Sequence, residues 1–480
     1  MSFEFLKTSI FPIIQQSINE MNTEAFVIGG FVRDFFLFNQ IGNEIDIVCT
    51  HSALQVAENL CQKLGEEAKL SVFKNFGTAH IVYKDYTIEF VNARKESYRS
   101  HSRKPIVESG TLEDDQKRRD FTINAMAIGL DKKNLGKFVD PFNGIQDLED
   151  KIIRTPLDPS ITFSDDPLRM MRAIRFATRL QFTIEPQTFQ AIKEQKDRIR
   201  IVSQERITEE LNKILLTDKP SIGFYLLDES GLLEIIFPEL CKLKGTETIN
   251  NLSHKDNFIH TLQVLDNVSK MSNNLWLRWA ALLHDIAKPQ TKKFEEGKGF
   301  TFHGHDEIGA RMIPRIFKKL KLPLNEKMKY VQKLVRLHLR PIVLAKTEVT
   351  DSAVRRVLFE AGDDIEDLMI LCEADITTKN PNKLKRYLHN FELVRKKLKE
   401  IEEKDHIRNF QPPIRGEEII QMFQLKPGKM VGILKDALKE AILEGQVKND
   451  YEEAKKFLIN LYDKLQQNPD ELEKMMNLKK

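Results

Sequence analysis

The 480-residue sequence predicts an α+β chain, with a small mixed sheet in an N-terminal head and a mostly helical remainder. Three observations carry that prediction. The apolar runs FVIGG (26–30), IDIVC (45–49), AHIVYKD (79–85) and YTIEFVNAR (86–94) are short and separated by helical patterns. A further apolar cluster near NLGKFVDPF (134–142) closes the region. From about residue 155 the strand signals fade, and Leu, Ile, Lys and Glu recur at helical spacing.

Composition bounds the rest. Hydrophobic residues at 41% and charged residues at 30% describe a globular chain that buries several cores, and a net charge of +3 leaves any polyanion-binding surface to a local patch. Cys49, Cys61, Cys241 and Cys372 form no CxxC pair, which argues against a zinc ribbon or a disulfide framework and for a reducing, cytoplasmic setting. The N-terminal stretch MSFEFLKTSIFPIIQQSINE has an early Glu, a Pro within its apolar run and no small-residue cleavage site, so no targeting segment is expected. No run approaches the ~18 apolar residues of a membrane span.

The first chemistry lies in residues 26–48, where a strand runs into Gly29-Gly30, a helix follows, and the next strand presents Glu44 and Asp46. Side chains at i and i+2 of a strand share a face, so both carboxylates reach one spot and suit Mg2+. In a two-ion arrangement one ion activates an attacking hydroxyl and the other neutralises leaving pyrophosphate. Gly29 and Gly30 let backbone approach a triphosphate at a helix N-terminus, and Arg33 adds a charge-assisted bond. Glu89 is either a third carboxylate or an edge-strand charge. The polar stretch Lys95 to Lys117 lacks periodicity and is expected to be a mobile loop.

GGFVRD followed by a carboxylate pair resembles the nucleotidyltransferase superfamily of DNA polymerase β type and, within it, the class II CCA-adding enzymes and bacterial poly(A) polymerases. The family has Asp-x-Asp where this chain has Glu44-Ile45-Asp46, so one ligand is displaced outward by a methylene. RRDFTINAMA (118–127) is similar to the family's sugar-recognition motif, which implies Arg119 on phosphate and Asp120 and Asn124 on ribose. VDPFNGIQDLEDKIIRT (139–155) matches too, as a turn and helix closing the head. A loop at 95–117 implies adjustment to successive bases and leans against a shortened enzyme that adds A only.

In DDPLRMMRAIRF (165–176), Asp166 and Arg169 stand at i and i+3 and share a face on a helix. A carboxylate accepts from the exocyclic amine of C or A, and a guanidinium donates to the ring nitrogen, so one pair reads both bases. Uracil and guanine present the opposite polarity. Arg172 and Arg175 continue the stripe toward phosphates. Local sequence fits an N-cap followed by Pro at N1 equally well. The resemblance favours base selection, since the family places its E-D-x-x-R here, with Asp165 replacing the first acid.

HTLQVLDNV (260–268), LRWAALLHDIAKP (277–289), FHGHDEIGA (302–310) and LCEADITTKN (371–380) resemble the HD phosphohydrolases. That resemblance implies a divalent metal (Mg, Mn or Ni) on His260, His284, Asp285 and Asp375, with His303, His305 and His338 as candidates for further ligands or substrate contacts. PIRGEEIIQMFQLKPGKMVG (413–432) opens a stretch similar to the family's RNA-binding tail. The implied organisation is a head at 1–155, a nucleotide- and RNA-binding neck at 156–245, an HD domain at 250–380 and a tail at 381–480. The implied activity is transfer of CMP and AMP from CTP and ATP to a tRNA 3′ end, with no DNA or membrane partner. A poly(A) polymerase, or an RNA-binding HD hydrolase with an inactive head, is the alternative.

Overall fold

The computed structural model describes residues 3–74, 77–99, 102–250, 252–344, 350–378, 380–405, 407–408 and 410–468. The chain forms two compact units, 1–241 and 242–480. In the first, α1 (Phe11–Glu20), β1 (Ala25–Ile28), α2 (Gly30–Phe38), β2 (Glu44–Cys49) and α3 (Ala53–Leu64) precede β3 (Lys69–Phe73), β4 (Thr78–Tyr83) and β5 (Tyr86–Asn92). Two short strands follow later, β8 (Ala127–Gly129) and β9 (Phe138–Val139), after a separate hairpin of β6 (Arg94–Arg99) and β7 (Ser102–Ser109).

The seven-stranded sheet has the order β3-β4-β5-β2-β1-β8-β9, and only β2 and β5 run parallel. All four residues of β1 are buried, so its unbroken apolar run reads as a central strand. β2 is buried along its C-terminal half and opens at Glu44, which puts its acidic end at the rim of the sheet.

The stretch Lys95–Lys117, expected to be a loop, is instead the β6/β7 hairpin and helix α4 (Leu112–Lys117). Helix α4 is fixed by a capping box between Thr111 and Asp114, a signal present in the sequence as T-x-x-D. Strands also persist beyond the head. Ile152–Ile153 pairs in parallel with Thr183–Ile184, and two hairpins join Thr248–Ile249 to Leu252–Ser253 and Lys293–Glu295 to Gly299–Thr301. At two to three residues each, these strands are too short to leave a periodic signal. Pro220 and Pro238 open the helices Pro220–Glu229 and Pro238–Cys241, where the missing N–H has no intrahelical partner to lose.

The second unit is built from helices Asn257–Met271, Leu275–Leu283, His305–Lys319, Glu326–Leu337 and Ile365–Ala374, followed by the 25-residue Pro381–Asp405 and three further helices to Gln467. Residues 469–480 of the expected tail lie outside the described residues. Among the described residues, no helix is long and apolar enough to cross a membrane.

Candidate functional site

The parallel pairing of β2 and β5 sets Asp46 opposite Glu89 and Glu44 opposite Thr87. Register partners on adjacent strands point to one face, so Asp46 and Glu89 are neighbours. Burial raises the pKa of both; the Asp46 charge adds to the rise at Glu89, and the Glu44 charge adds to the rise at Asp46. Arg119 pulls the Asp46 carboxyl back down. Two carboxylates that resist ionising side by side fit a divalent cation, and of the two readings of Glu89 this geometry favours the third carboxylate. Glu44 is exposed at the strand's start.

Gly29, with φ +83°, bridges β1 and α2 in a conformation that a side chain would strain. A Cβ there would stand 3.2 Å from Arg119 Nη1 and 3.3 Å from Asp46 Oδ2, so the glycine lets backbone pass beside the carboxylate and guanidinium. Gly30 starts α2 and lies against Arg33.

Asp46 and Glu89 line a cavity of about 330 Å³ with Asp120 and Asp166, and six arginines complete its wall: Arg94, Arg118, Arg119, Arg169, Arg172 and Arg206. Arg118 and Arg119 are steered by Asp115, fully buried on α4, which bonds both guanidiniums. Asp115 was not legible as a site residue, because its role depends on where α4 docks. Burial works against the Asp120 carboxylate, but Arg172 (Nε to Oδ2, 2.8 Å) and Asn124 (Nδ2 to Oδ1, 3.0 Å) hold its pKa down at about 2. Arg33 Nη1 donates to Asn124 Oδ1 at 2.8 Å and Arg33 Nε to Asp34 at 2.7 Å.

This chain of contacts corrects two expectations. Arg33 is 3% exposed and braces Asn124 from behind. Arg175 faces away from the cavity, with Nε 2.5 Å from Glu210 and its guanidinium over Phe176. The GGFVRD motif placed Arg33 and helical spacing placed Arg175, but neither showed the buried partner that claims the charge. Asp166 is not helical, as its pairing with Arg169 assumed. It has an extended backbone before the helix α5 (Leu168–Leu180; the short helices between α4 and it are left unnumbered), with Oδ1 accepting from Leu168 N at 3.1 Å. It still lines the same cavity as Arg169, but its Oδ2 lies 3.4 Å from Arg206 Nη2 while Arg169 is fixed by the Arg118 carbonyl. The capping and cavity-facing readings of Asp166 therefore coexist.

In the second unit His284, His338 and Asp375 follow the last turns of three helices and His305 opens a fourth. His260 Nε2 lies 2.9 Å from Asp375 Oδ1 and 3.5 Å from Asp285 Oδ2. His284 Nε2 lies 3.2 Å from Asp285 Oδ2, yet this fully buried nitrogen is aligned with no hydrogen-bond partner. Burial alone would depress the His284 imidazole, but Asp285 and Asp375 raise it to about 10. Burial also opposes the charge on Asp285, yet His284 and Lys288 hold it well below the carboxylate range. The cluster demands a positive charge at its centre, and its imidazole and carboxylate donors fit a divalent cation. His303 is 81% exposed beside Glu295 and stands apart from the cluster. His260, Asp375 and Lys288 line a second cavity, about 540 Å³, with Lys255, Lys383 and Tyr387. Lys288 is three residues past Asp285, a spacing that could have revealed it.

A sheet-based head with paired carboxylates in an arginine-walled cavity, joined to a helical His/Asp cluster, defines a nucleotidyltransferase fused to an HD unit. Residues 25–154 match the poly A polymerase head domain, 181–244 the probable RNA and SrmB-binding site of polymerase A, and 257–380 the HD domain. An A-adding tRNA nucleotidyltransferase of Deinococcus radiodurans is 34% identical over 347 residues, which cover 70% of this chain and 76% of that protein. A multifunctional CCA protein of Hahella chejuensis is 35% identical over 280 residues, covering 55% and 62%. The Bacillus stearothermophilus CCA-adding enzyme, solved with CTP, shares the fold with a TM-score of 0.69 at 23% identity, over 96% of this chain and 100% of that one. The chain belongs to the tRNA nucleotidyltransferase family. Its head and HD families are both dependent on divalent metals.

Proposed function

We propose that the first unit adds CMP and then AMP from CTP and ATP to the 3′ end of tRNA, and that the second is a metal-dependent phosphohydrolase. The observation that carries the first reading is a single cavity that gathers Asp46, Glu89, Asp166 and Arg169. Asp46, with Glu89 and Glu44 beside it, holds Mg2+ in the head, while His260, His284, Asp285 and Asp375 hold Mg2+, Mn2+ or Ni2+ in the HD unit. When bound, these cations supply Lewis-acid activation of the attacking group and neutralise the leaving phosphate.

The tRNA 3′-oxygen bonds to the α-phosphorus as the bond from that phosphorus to pyrophosphate breaks. Arg119 and Arg172 balance the triphosphate's charge, and Asp120 and Asn124 face the ribose. Asp166 accepts from the exocyclic amine of C or A while Arg169 donates to the ring nitrogen. U and G leave buried polar groups mismatched, at a cost of about 1–3 kcal/mol each. The four-part division at 1–155, 156–245, 250–380 and 381–480 is part of the same reading, as is a cytoplasmic location.

A-addition alone is the second reading, favoured by the name of the Deinococcus radiodurans relative. The hairpin and helix present at 94–117 support the full CCA activity, since a fixed one-base site needs no such insertion. The test offers tRNA lacking CCA, or ending in CC, with each labelled triphosphate. Sequential C, C and A supports the proposal. Label from ATP only on the CC-ended tRNA selects the second reading, and a long A tail selects poly(A) synthesis.

The second cavity sets Lys255, Lys288 and Lys383 around the HD ligands, which suits an anionic phosphate ester. His284→Ala is expected to abolish phosphate release while leaving addition to intact tRNA unchanged.

A further inference from the structure

We propose that Arg206 is a specificity-determining positioning residue of nucleotide addition, holding the Asp166 carboxylate apart from Arg169 so that an incoming base finds the pair open. The role rests on Asp166 and Arg169 being the base readers, as proposed above, and Arg206 itself reads no base.

A carboxylate and a guanidinium on one cavity wall attract each other, and a pair closed on itself offers a base neither a free acceptor nor a free donor. Here each reader is bonded elsewhere. Arg169 Nη2 donates to the Arg118 carbonyl, and Asp166 Oδ2 lies 3.4 Å from Arg206 Nη2. Arg206 belongs to the helix Gln204–Leu215 and lines the same cavity as both readers. Among the described residues Asp166 is the one carboxylate within ion-pair range of it.

The backbone around Asp166 is fixed without Arg206. Asp166 N donates to the Thr162 carbonyl at 3.4 Å, Arg169 N to the Asp166 carbonyl at 3.0 Å, and Arg198 Nη2 to the Ser164 carbonyl at 2.7 Å. Leu168 N takes Oδ1 at 3.1 Å, so Oδ2 is the oxygen left for an exocyclic amine, and Arg206 is the group that faces it. At 3.4 Å the guanidinium attracts Oδ2 by charge more than by a directed bond, and a carboxylate oxygen has two lone pairs, so Oδ2 still accepts from a base. The Arg206 side chain is 37% exposed, so its replacement opens no buried void and acts on the Asp166 side chain rather than on the fold.

The experiment measures CMP and UMP addition to tRNA lacking CCA by the full chain carrying Arg206→Met, Arg206→Gln, Arg206→Lys or Asp166→Ala. Inhibition by tripolyphosphate, which carries the phosphates and no base, is measured beside it. The two neutral variants are expected to raise KM for CTP and the ratio of UMP to CMP by about 3- to 10-fold, less than Asp166→Ala, because Arg206 acts through that carboxylate. Tripolyphosphate inhibition is expected to stay unchanged, and Arg206→Lys, which keeps the charge, to return both values most of the way. Using two neutral variants prevents one misfolded protein from deciding the outcome. Unchanged KM and base ratio in both overturn the proposal. So does tripolyphosphate inhibition that weakens along with KM, which puts Arg206 on the phosphates. Equal loss in the neutral and Lys variants overturns it too, since the role is then packing and not charge. If Asp166→Ala keeps its base preference, the base-reader assignment falls and the role of Arg206 with it; if only the Arg206 variants keep theirs, the role of Arg206 falls alone.

Discussion

The head cavity and the HD cluster handle charge in opposite ways. In the head six arginines face four carboxylates, and much of that charge is already paired, Arg172 with Asp120, and Arg118 and Arg119 with Asp115. In the HD cluster the imidazoles turn toward Asp285 and Asp375, and among the described residues the one ammonium bonded to these carboxylates is that of Lys288. The first arrangement suits exchange of internal partners for a polyanion, and the second suits a cationic centre, whether a proton or a metal. Neither site therefore substitutes for the other, and each is expected to fail alone.

The largest break in the comparison is Asp46→Ala. It removes the more central, half-buried carboxylate of β2 and the register partner of Glu89, so nucleotide addition is expected to fall by at least about 10³-fold, several kcal/mol of charge stabilisation. Metal uptake by the HD cluster should stay at its unsubstituted level. Near-normal addition in labelled-triphosphate assays would sink the head as the catalytic unit. Asp166→Ala and Arg169→Ala come next, since each removes half of a base-reading pair. UMP and GMP incorporation relative to CMP should rise about 5- to 150-fold, the equivalent of about 1–3 kcal/mol. An unchanged preference at measurable rates removes the pair from base selection.

Asp120 sharpens the contrast through stability. Its folded pKa, about 2, lies below the ordinary 3.8 because Arg172 and Asn124 outweigh burial. A depressed carboxylate contributes stability that is fully present above the unfolded pKa and lost as pH falls through the folded one. The window is therefore about pH 4 to 2, with a size on the order of 2 kcal/mol. Asp120→Asn should flatten the denaturation-midpoint profile across that window. A slope equal to that of the unsubstituted protein would show that the carboxylate's charge does not stabilise the fold.

How much of this was legible depended on whether a residue's role was local. The strands at 26–28 and 45–49, the Gly29 turn and the His284-Asp285 pair were readable because their chemistry lies within a few residues. Arg33 and Arg175 misled because a motif or stripe shows where a guanidinium starts, and only tertiary packing shows that Asn124 and Glu210 receive it. Asp115 and Arg206 were invisible for the same reason. Glu89 was left open between two readings until the parallel register set it beside Asp46. The hairpin at 94–109 was lost because its strands carry mixed polar residues, and alternation is the signal on which strand reading depends.

The smallest effect concerns Glu44, the residue that departs from the family's Asp-x-Asp. It shares a face with Asp46 by strand alternation, but it is exposed at the rim and opposite Thr87, whereas Asp46 is set against Glu89. An exposed carboxylate on an extra methylene has room to adjust its reach, so Glu44→Asp should change the rate of addition by less than about tenfold, in either direction. Glu89→Ala should cost more than that, because it removes the in-register neighbour of Asp46. Turnover of both variants, measured at saturating triphosphate, separates the two ideas. If Glu44→Asp falls further than Glu89→Ala, the longer side chain is required, and the carboxylate pair seen in the sequence matters more than the one the strand register creates.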